Sequence, residues 1–124
     1  MHKVISAPNA PAAVGPYCHA KLVDDTLYTS GQIGLIPDTG ELPQGVEAQA
    51  TQALENLKAV LRAAGMGMED VVKTTVFLAD INDFAAINAI YAGYFPGDPP
   101  ARSCVQAAAL PKGALFEIEA IAAK

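Results

Sequence analysis

One segment of the chain, residues 46–64, has an apolar pattern that leaves little choice of structure. Its apolar side chains recur at the three- and four-residue spacing of an α-helix and form one stripe, with the charged side chains elsewhere. Gly65 follows the last periodic residue and is typical of a helix end. A helix with one apolar stripe must bury it, so we predict that the stripe covers a β-sheet supplied by the rest of the chain. The stripe consists of Ala50, Ala53, Leu54, Leu57, Val60 and Leu61.

Strand patterns on both sides of this helix supply the sheet. Residues 21–31 predict a hairpin of two short strands, joined by a turn at Asp24 and Asp25 and ended by Gly31. Residues 71–78 are rich in β-branched and aromatic side chains and predict a third strand. The long helix therefore connects a hairpin to a further strand of the same sheet.

The second half of the chain repeats this alternation. A turn over residues 80–83 begins a second helix that runs to about Tyr94. After a proline-rich loop, two last strands are predicted over residues 101–108 and 115–122. The order of elements is ββαβαββ, which predicts an α+β fold of two layers, with both helices on one face of the sheet.

The chain length and composition fit one such unit. With 124 residues, the chain is long enough for one domain and too short for two ordinary ones. No internal repeat or Pro/Gly/Ser-rich linker divides it, so we predict a single domain over residues 1–124. Apolar residues make up 52% and charged residues 17%, so a core can form and a disordered chain is excluded.

The last predicted strand has two chemically different faces. Strand alternation separates Glu117, Glu119 and Ile121 from Phe116, Ile118 and Ala120. The face of the sheet that points away from the helices is thus expected to be partly apolar and partly acidic. We predict that identical subunits close over this face and bury the surplus apolar area.

The charge balance argues against nucleic acid as the main ligand. Thirteen acidic and eight basic side chains give a formal net charge of −5. The basic residues are scattered along the sequence, so no cluster is expected to neutralise a row of phosphates.

The sequence gives no support for a metal, a cofactor or a membrane. His2 and His19 are the only histidines, no Cys or His pair has metal-ligand spacing, and no phosphate-binding loop is present, so we expect neither metal nor cofactor. We see no signal peptide and no bilayer-spanning run, which predicts a cytoplasmic protein. In that compartment Cys18 and Cys104 are expected to stay unpaired.

Arg102 differs from the other basic residues because it follows Pro99 and Pro100 at the start of a predicted strand. The prolines restrict the backbone, so the guanidinium is presented with little freedom. Its planar fork binds a carboxylate through two hydrogen bonds and stays charged at every accessible pH. Two interpretations remain open: Arg102 binds an anionic ligand, or it forms a salt bridge within the fold.

Two further positions on the predicted strands carry chemically active side chains. Cys104 lies on the same face as Arg102. It is either a nucleophile, with His19 as its only internal histidine base, or a small pocket-lining residue, which we favour. Glu117 and Glu119 share a face and are either proton-transfer groups with a raised pKa or solvent-exposed carboxylates.

Two glycine-containing turns are additional candidates for ligand contact. Tyr17 follows Gly15 and Pro16, while Ser30 and Gly31 end a predicted strand. Gly31 allows a ligand to approach the backbone closely, and Ser30 adds a hydroxyl donor. Each position is equally well explained as an ordinary turn.

Seven segments along the whole chain also match a known pattern: residues 10–17 (APAAVGPY), 29–33 (TSGQI), 72–78 (VKTTVFL), 82–84 (NDF) with Asn88, 100–105 (PARSCV), 110–112 (LPK) and 117–122 (EIEAIA). Together they resemble the reactive-intermediate deaminase family, also called YjgF or L-PSP. The most specific segment is Ala-Arg-Ser-Cys-Val with the Ile-Glu block that follows it. Its arginine marks the deaminase-competent, RidA-like subgroup of that family.

The resemblance implies a chorismate-mutase-like ββαβαββ fold and a homotrimer with three sites in the clefts between subunits. It implies that Arg102 binds the substrate carboxylate, that Glu117 positions and activates the hydrolytic water, and that Cys104 lines the site chiefly through its backbone. The pocket would be completed by Tyr17, Ser30, Gly31 and Asn88, partly from the adjoining subunit. The loop between Tyr94 and Arg102 is a few residues shorter than in bacterial members, which affects the expected substrate size.

The activity that the resemblance implies is hydrolysis of 2-imino acids, such as 2-iminopropanoate and 2-iminobutanoate, to 2-oxo acids and ammonia. An imine carbon is already electrophilic, so an oriented water and a proton relay suffice, without covalent nucleophile or metal. Two alternatives are considered: a non-catalytic trimer that binds 2-oxo acids, and an RNA-cleaving translation inhibitor. The acidic charge balance argues against the second alternative.

Overall fold

The computed structural model describes residues 2–124. These residues form seven β-strands and two α-helices: β1 His2–Ile5, β2 Ala20–Val23, β3 Thr26–Thr29, β4 Gln32–Ile33, α1 Val46–Ala63, β5 Val71–Leu78, α2 Phe84–Tyr94, β6 Ala101–Gln106 and β7 Phe116–Ala123. Short 3-10 turns precede β5, α2 and β7 at Met68–Asp70, Ile81–Asp83 and Pro111–Gly113. Neither helix is long and apolar enough to cross a membrane.

The strands form one mixed sheet in the order β1-β2-β3-β7-β5-β6, with the short β4 also paired to β7. All neighbours are antiparallel except β5 and β6, which are parallel and connected through α2. The last strand of the chain, β7, is therefore central and β6 lies at an edge. A β-bulge at Val72 shifts the register between β5 and β7 and leaves that side chain half exposed.

The core lies between the helices and one face of the sheet. All six residues of the predicted stripe on α1 are completely buried, and they pack against the buried face of β5 and β7 in one cluster. From α2, Ile87 and Tyr91 reach the same cluster. The predicted α+β arrangement, with helices on one face, is thus confirmed.

Two strands were missing from the predicted order. Of the four residues of β1, only Ile5 is buried, so this edge strand has no apolar alternation to reveal it. The other, β4, has only two residues and is followed by Gly34, so it is too short to give a periodic signal. The remaining predicted elements agree with the observed ones to within two residues at each end.

The opposite face of the sheet has no helix over it within residues 2–124. On β7 the predicted alternation is confirmed, because Phe116, Ile118 and Ala120 are buried while Glu117, Glu119 and Ile121 lie on the other face. This second face also carries solvent-exposed apolar side chains, such as Tyr28 (48% exposed) and Val105 (45% exposed). The sheet therefore carries a mixed apolar and acidic surface away from its core.

Candidate active site

Arg102 lies at the edge of the sheet, against one face of α2. Its Nη1 donates a hydrogen bond to Oδ1 of Asn88 at 2.8 Å. Its Cζ lies 4.7 Å from the ring centre of Tyr91 and 5.2 Å from that of Phe84. The three α2 residues are spaced i, i+4 and i+7, so one helical stripe holds the guanidinium. Asn88, which was predicted for the pocket, is therefore next to Arg102.

The groups that hold Arg102 are neutral. The amide of Asn88 accepts a hydrogen bond without adding a negative charge, and the two aromatic rings offer only their electron-rich faces. These contacts leave the positive charge of the guanidinium uncompensated. Of the two interpretations of Arg102, this geometry favours an anion-binding group over an internal salt bridge.

Cys104 follows Arg102 on the same face of β6 and packs against the core. Burial raises the pKa of the Cys104 thiol, and the positive charge of Arg102 only partly offsets this effect. The thiol is therefore protonated at neutral pH and is a poor nucleophile. Both Cys104 and Cys18 are free thiols.

A second group of candidate residues lines a small pocket of about 80 Å³. Tyr17, Gly31 and Glu117 all contribute to its wall. Gly31 approaches Glu117 so closely that a Cβ at this position would lie 2.9 Å from the carboxyl carbon of the glutamate. The absence of a side chain at Gly31 thus leaves room for the Glu117 carboxyl in this position, which any larger residue would displace.

The Glu117 carboxyl is half-buried at this pocket. Burial raises its pKa above the ordinary value of 4.5, and the negative charge of Glu119 on the same face raises it further. A carboxyl with a raised pKa is a better proton acceptor than an exposed glutamate. The environment of Glu117 therefore suits a proton-transfer group.

His19 and Ser30 hold the loop that carries Tyr17. His19 accepts a hydrogen bond from the Ala7 amide at Nδ1 (2.8 Å), and its Nε2 lies 2.7 Å from the carbonyl oxygen of Pro11. The Ser30 hydroxyl donates to the Cys18 carbonyl oxygen at 2.6 Å. Both nitrogens of His19 are thus occupied, so it is not available as a base for Cys104, and the Ser30 hydroxyl is already engaged with the backbone.

The two groups lie on opposite faces of the sheet. Arg102 pairs with Thr74 on the helix-covered face, whereas Glu117 pairs with Phe77 on the open face. Two strand spacings and three residues along the strands separate their Cα atoms by roughly 14 Å. A small acid cannot contact both side chains of one chain. The chain therefore brings together Tyr17, Gly31 and Glu117, and separately Asn88, Arg102 and Cys104.

No site role was predicted from the sequence for Phe84, Tyr91 or Thr74, although Thr74 and Phe84 lie in segments that carry the family resemblance. Tyr91 is buried, and its hydroxyl lies 2.7 Å from Oγ1 of the fully buried Thr74. The sequence did contain one signal for them. Phe84, Asn88 and Tyr91 are spaced i, i+4 and i+7 on the second helix, and they form an aromatic and polar stripe where a core-facing stripe would be aliphatic.

The fold also gathers three basic residues that are distant in sequence. Lys58, Arg62 and Lys124 line a surface groove of about 630 Å³ together with Glu69. The basic residues are scattered in the sequence, but at this groove the fold brings three of them together, contrary to the expectation that they form no cluster. Within the described residues, no group of three or more His, Cys, Asp and Glu side chains is placed to hold a metal ion.

Comparison with known proteins places this geometry in a family. Residues 7–124 match the family described as Endoribonuclease L-PSP. The chain belongs to the L-PSP family. The family assignment covers every candidate site residue from Tyr17 to Glu117 and agrees with the resemblance seen in the sequence.

Individual L-PSP relatives match over nearly the whole chain. A rat protein named 2-iminobutanoate/2-iminopropanoate deaminase is 58% identical over 123 residues, which is 98% of this chain and 90% of the relative. A solved structure of a putative endoribonuclease L-PSP from Entamoeba histolytica is 50% identical, covers 100% of both chains and has a TM-score of 0.97. The structure of E. coli TdcF with bound serine is 47% identical, covers 98% of both chains and has a TM-score of 0.95.

Proposed function

We propose that this protein is a 2-iminobutanoate/2-iminopropanoate deaminase, which hydrolyses small 2-imino acids to 2-oxo acids and ammonia. The observation that carries the proposal is the guanidinium of Arg102, which neutral groups hold in place with its charge uncompensated. The name of the rat relative supports the same reaction. The serine bound to TdcF supports a substrate with a carboxylate.

In this reaction Arg102 binds the substrate carboxylate with its remaining N–H groups. Glu117 accepts a hydrogen bond from a water molecule and orients it toward the imine carbon. As the water oxygen bonds to carbon, the C=N π electrons move to the nitrogen, and Glu117 carries one water proton to that nitrogen to give a carbinolamine. Glu117 then carries the remaining hydroxyl proton to the amino nitrogen, the C=O bond forms, and the C–N bond breaks with its electron pair leaving on ammonia. The raised pKa of Glu117 brings it closer to that of the groups between which the proton moves.

We also propose that each site is formed by two copies of the chain in a homotrimer. One copy contributes Arg102, Asn88 and Cys104, and its neighbour contributes Glu117, Gly31 and Tyr17. The separation of the two groups within one chain supports this arrangement, because either group alone lacks half of the chemistry. The exposed apolar side chains on the open face, including Tyr28 and Val105, supply area for subunits to bury.

The proposal is tested with a coupled assay that generates 2-iminobutanoate and measures its hydrolysis. Arg102→Ala should lower kcat/KM by about 100-fold or more, because the charge-assisted contact to the carboxylate is lost. Arg62→Ala, which removes an exposed arginine of α1, is the matched control and should retain native activity. Undiminished hydrolysis by Arg102→Ala would contradict the assignment.

A trimer that binds 2-oxo acids without turnover is separated from the enzyme by Glu117→Gln. Both functions need Arg102, whereas only hydrolysis needs the carboxylate of Glu117. We expect this variant to bind 2-oxobutanoate as tightly as the native protein and to lose about 100-fold in kcat. An unchanged kcat would mean that another group holds the water.

The family description also names an endoribonuclease, and the groove with Lys58, Arg62 and Lys124 is where RNA phosphates would bind. Three cations that share the groove with Glu69, in a chain of net charge −5, attract a phosphate backbone only weakly. We expect the purified protein to show no salt-sensitive RNA binding. Binding that Arg62→Glu abolishes would instead support the RNA-directed activity.

A further inference from the structure

Tyr91 contacts Arg102 closely, yet the proposed reaction does not use it. The ring centre of Tyr91 lies 4.7 Å from Cζ of Arg102, nearer than that of Phe84, and Tyr91 is 6% exposed where Phe84 is 39% exposed. A guanidinium within about 6 Å of a ring face is attracted to the negative face of the π system, more strongly when water is excluded. Tyr91 thus contacts the guanidinium of Arg102 from its buried side.

The far end of the Tyr91 side chain is anchored. Its hydroxyl lies 2.7 Å from Oγ1 of Thr74, which is fully buried, and burial raises the pKa of the Tyr91 phenol so that it stays neutral. Thr74 is also the register partner of Arg102 between β5 and β6. The three residues therefore form a closed set of contacts. Strand pairing joins Arg102 to Thr74, a hydrogen bond joins Thr74 to Tyr91, and the ring of Tyr91 contacts the guanidinium of Arg102.

Two neighbours complete this support. Phe95 packs on Tyr91 with ring centres 4.7 Å apart at an angle of 44°. Asn88, one turn earlier on α2, engages Nη1 of Arg102 and takes one of the five N–H donors of the guanidinium. The hydrogen bond and the ring together restrain the plane of the guanidinium and leave the other donors for a ligand.

We propose that Tyr91 is a positioning residue, whose anchored ring holds the guanidinium of Arg102 in its carboxylate-binding orientation before the ligand arrives. The choice of ligand, a small 2-imino or 2-oxo acid, rests on the proposed function, whereas the positioning of Arg102 does not. A side chain that is already fixed loses less freedom on binding. Tyr91 therefore acts on ligand affinity and KM, and has little effect on kcat.

The first test compares Tyr91→Leu and Tyr91→Phe with Tyr94→Leu. Tyr94 is the matched control, since it is on the same helix and its hydroxyl contacts Glu55 instead of the Arg102 environment. Tyr91→Leu should weaken 2-oxobutanoate binding and raise KM by about tenfold, with kcat within about twofold, in keeping with the loss of a desolvated cation–π contact. Tyr91→Phe keeps the ring but loses the hydrogen bond to Thr74, so it should recover only part of the affinity. Tyr94→Leu should bind as the native protein does.

The second test needs no ligand. The side-chain Nε–H resonance of Arg102 in NMR spectra reports the ring current of Tyr91, so Tyr91→Leu should move it toward the position of a free arginine, while Tyr94→Leu should leave it in place. Tyr91→Met fills more of the same volume without a ring and replaces Tyr91→Leu if that variant does not fold. If the resonance shifts as expected but the protein neither binds nor hydrolyses these acids, the positioning role of Tyr91 is supported and the proposed function is wrong.

Three results would overturn the inference. One is an Arg102 resonance that does not respond to loss of the Tyr91 ring in a folded variant. Another is native affinity for 2-oxobutanoate in Tyr91→Leu or Tyr91→Met. The third is an equal loss of affinity in Tyr94→Leu, which would assign the effect to α2 as a whole.

Discussion

Glu117 lies where burial and a neighbouring carboxylate both oppose its ionisation. Between the ordinary pKa of 4.5 and the raised pKa in the fold, the folded protein holds a proton on Glu117 that the unfolded chain releases. Stability therefore falls as the pH rises through that window, and the full cost is present above the folded pKa. This cost is accepted at a residue whose carboxylate the proposed reaction needs.

We predict that Glu117→Gln is more stable than the native protein above this window, because the amide has the same shape and no charge. Below pH 4.5 the two proteins should unfold at similar urea concentrations, since Glu117 is then mostly protonated in both states. Urea unfolding at pH 4 and pH 8 measures the difference. The control is Glu41→Gln in an exposed loop, which should unfold at the same urea concentration as the native protein at both pH values. If Glu117→Gln also unfolds at the native urea concentration at both pH values, ionising Glu117 costs no stability.

At the scale of elements, the predictability of the fold follows the strength of the periodic signal. The segments α1 and β5 were predicted because each buries one regular set of positions. The strands β1 and β4 were not, because one is exposed and the other has two residues. Pairing of β4 with β7 is a contact between distant segments, and no local pattern reports it.

The same limit applies to the candidate site. Arg102 and Glu117 were predicted from residue chemistry and family resemblance, and strand alternation correctly assigned Glu117 to the face away from the core. That Arg102 lies on the other face requires the parallel register of β5 and β6, which is set by tertiary pairing. Tyr91 was missed because it resembles an ordinary core aromatic until its contact with Arg102 is seen.

Packing between β4 and α1 gives a prediction at this scale. A Cβ on Gly34, just after β4, would lie 2.8 Å from Cα of Gln49, and backbone cannot move aside as a flexible side chain can. Gly34→Ala should therefore lower the free energy of unfolding by about 1–3 kcal/mol. Gly93→Ala is the matched control, because Gly93 lies exposed within α2 with open space at its Cβ, and it should raise stability by about 0.5–1 kcal/mol.

Urea unfolding of the two variants measures both effects. Opposite signs are expected because the same added methyl group meets backbone at one position and solvent at the other. A stable Gly34→Ala protein would show that α1 can move away from β4 without cost. Such a movement would also displace the segment that holds Gly31 beside Glu117.

At the scale of the whole molecule, one chain carries the two groups of the proposed site on opposite faces of its sheet. In the proposed reaction the Arg102 group would bind the substrate carboxylate but has no carboxylate beside it to activate water, and the Glu117 pocket has the carboxylate but no cation for the substrate. A chain with both groups on opposite faces can build a complete site only by placing one face of one copy against the other face of its neighbour. In a closed ring every copy then uses both of its groups.

This geometry predicts that two inactive variants restore activity in each other. Arg102→Ala and Glu117→Gln are unfolded together in urea at equal concentrations and refolded, so that chains mix at random. A site that takes Arg102 from one chain and Glu117 from its neighbour is then intact in about one case in four, and about a quarter of native activity should return. Each variant refolded alone should stay inactive. If both residues of a site came from the same chain, no mixed assembly would contain an intact site, and the mixture would be no more active than its parents.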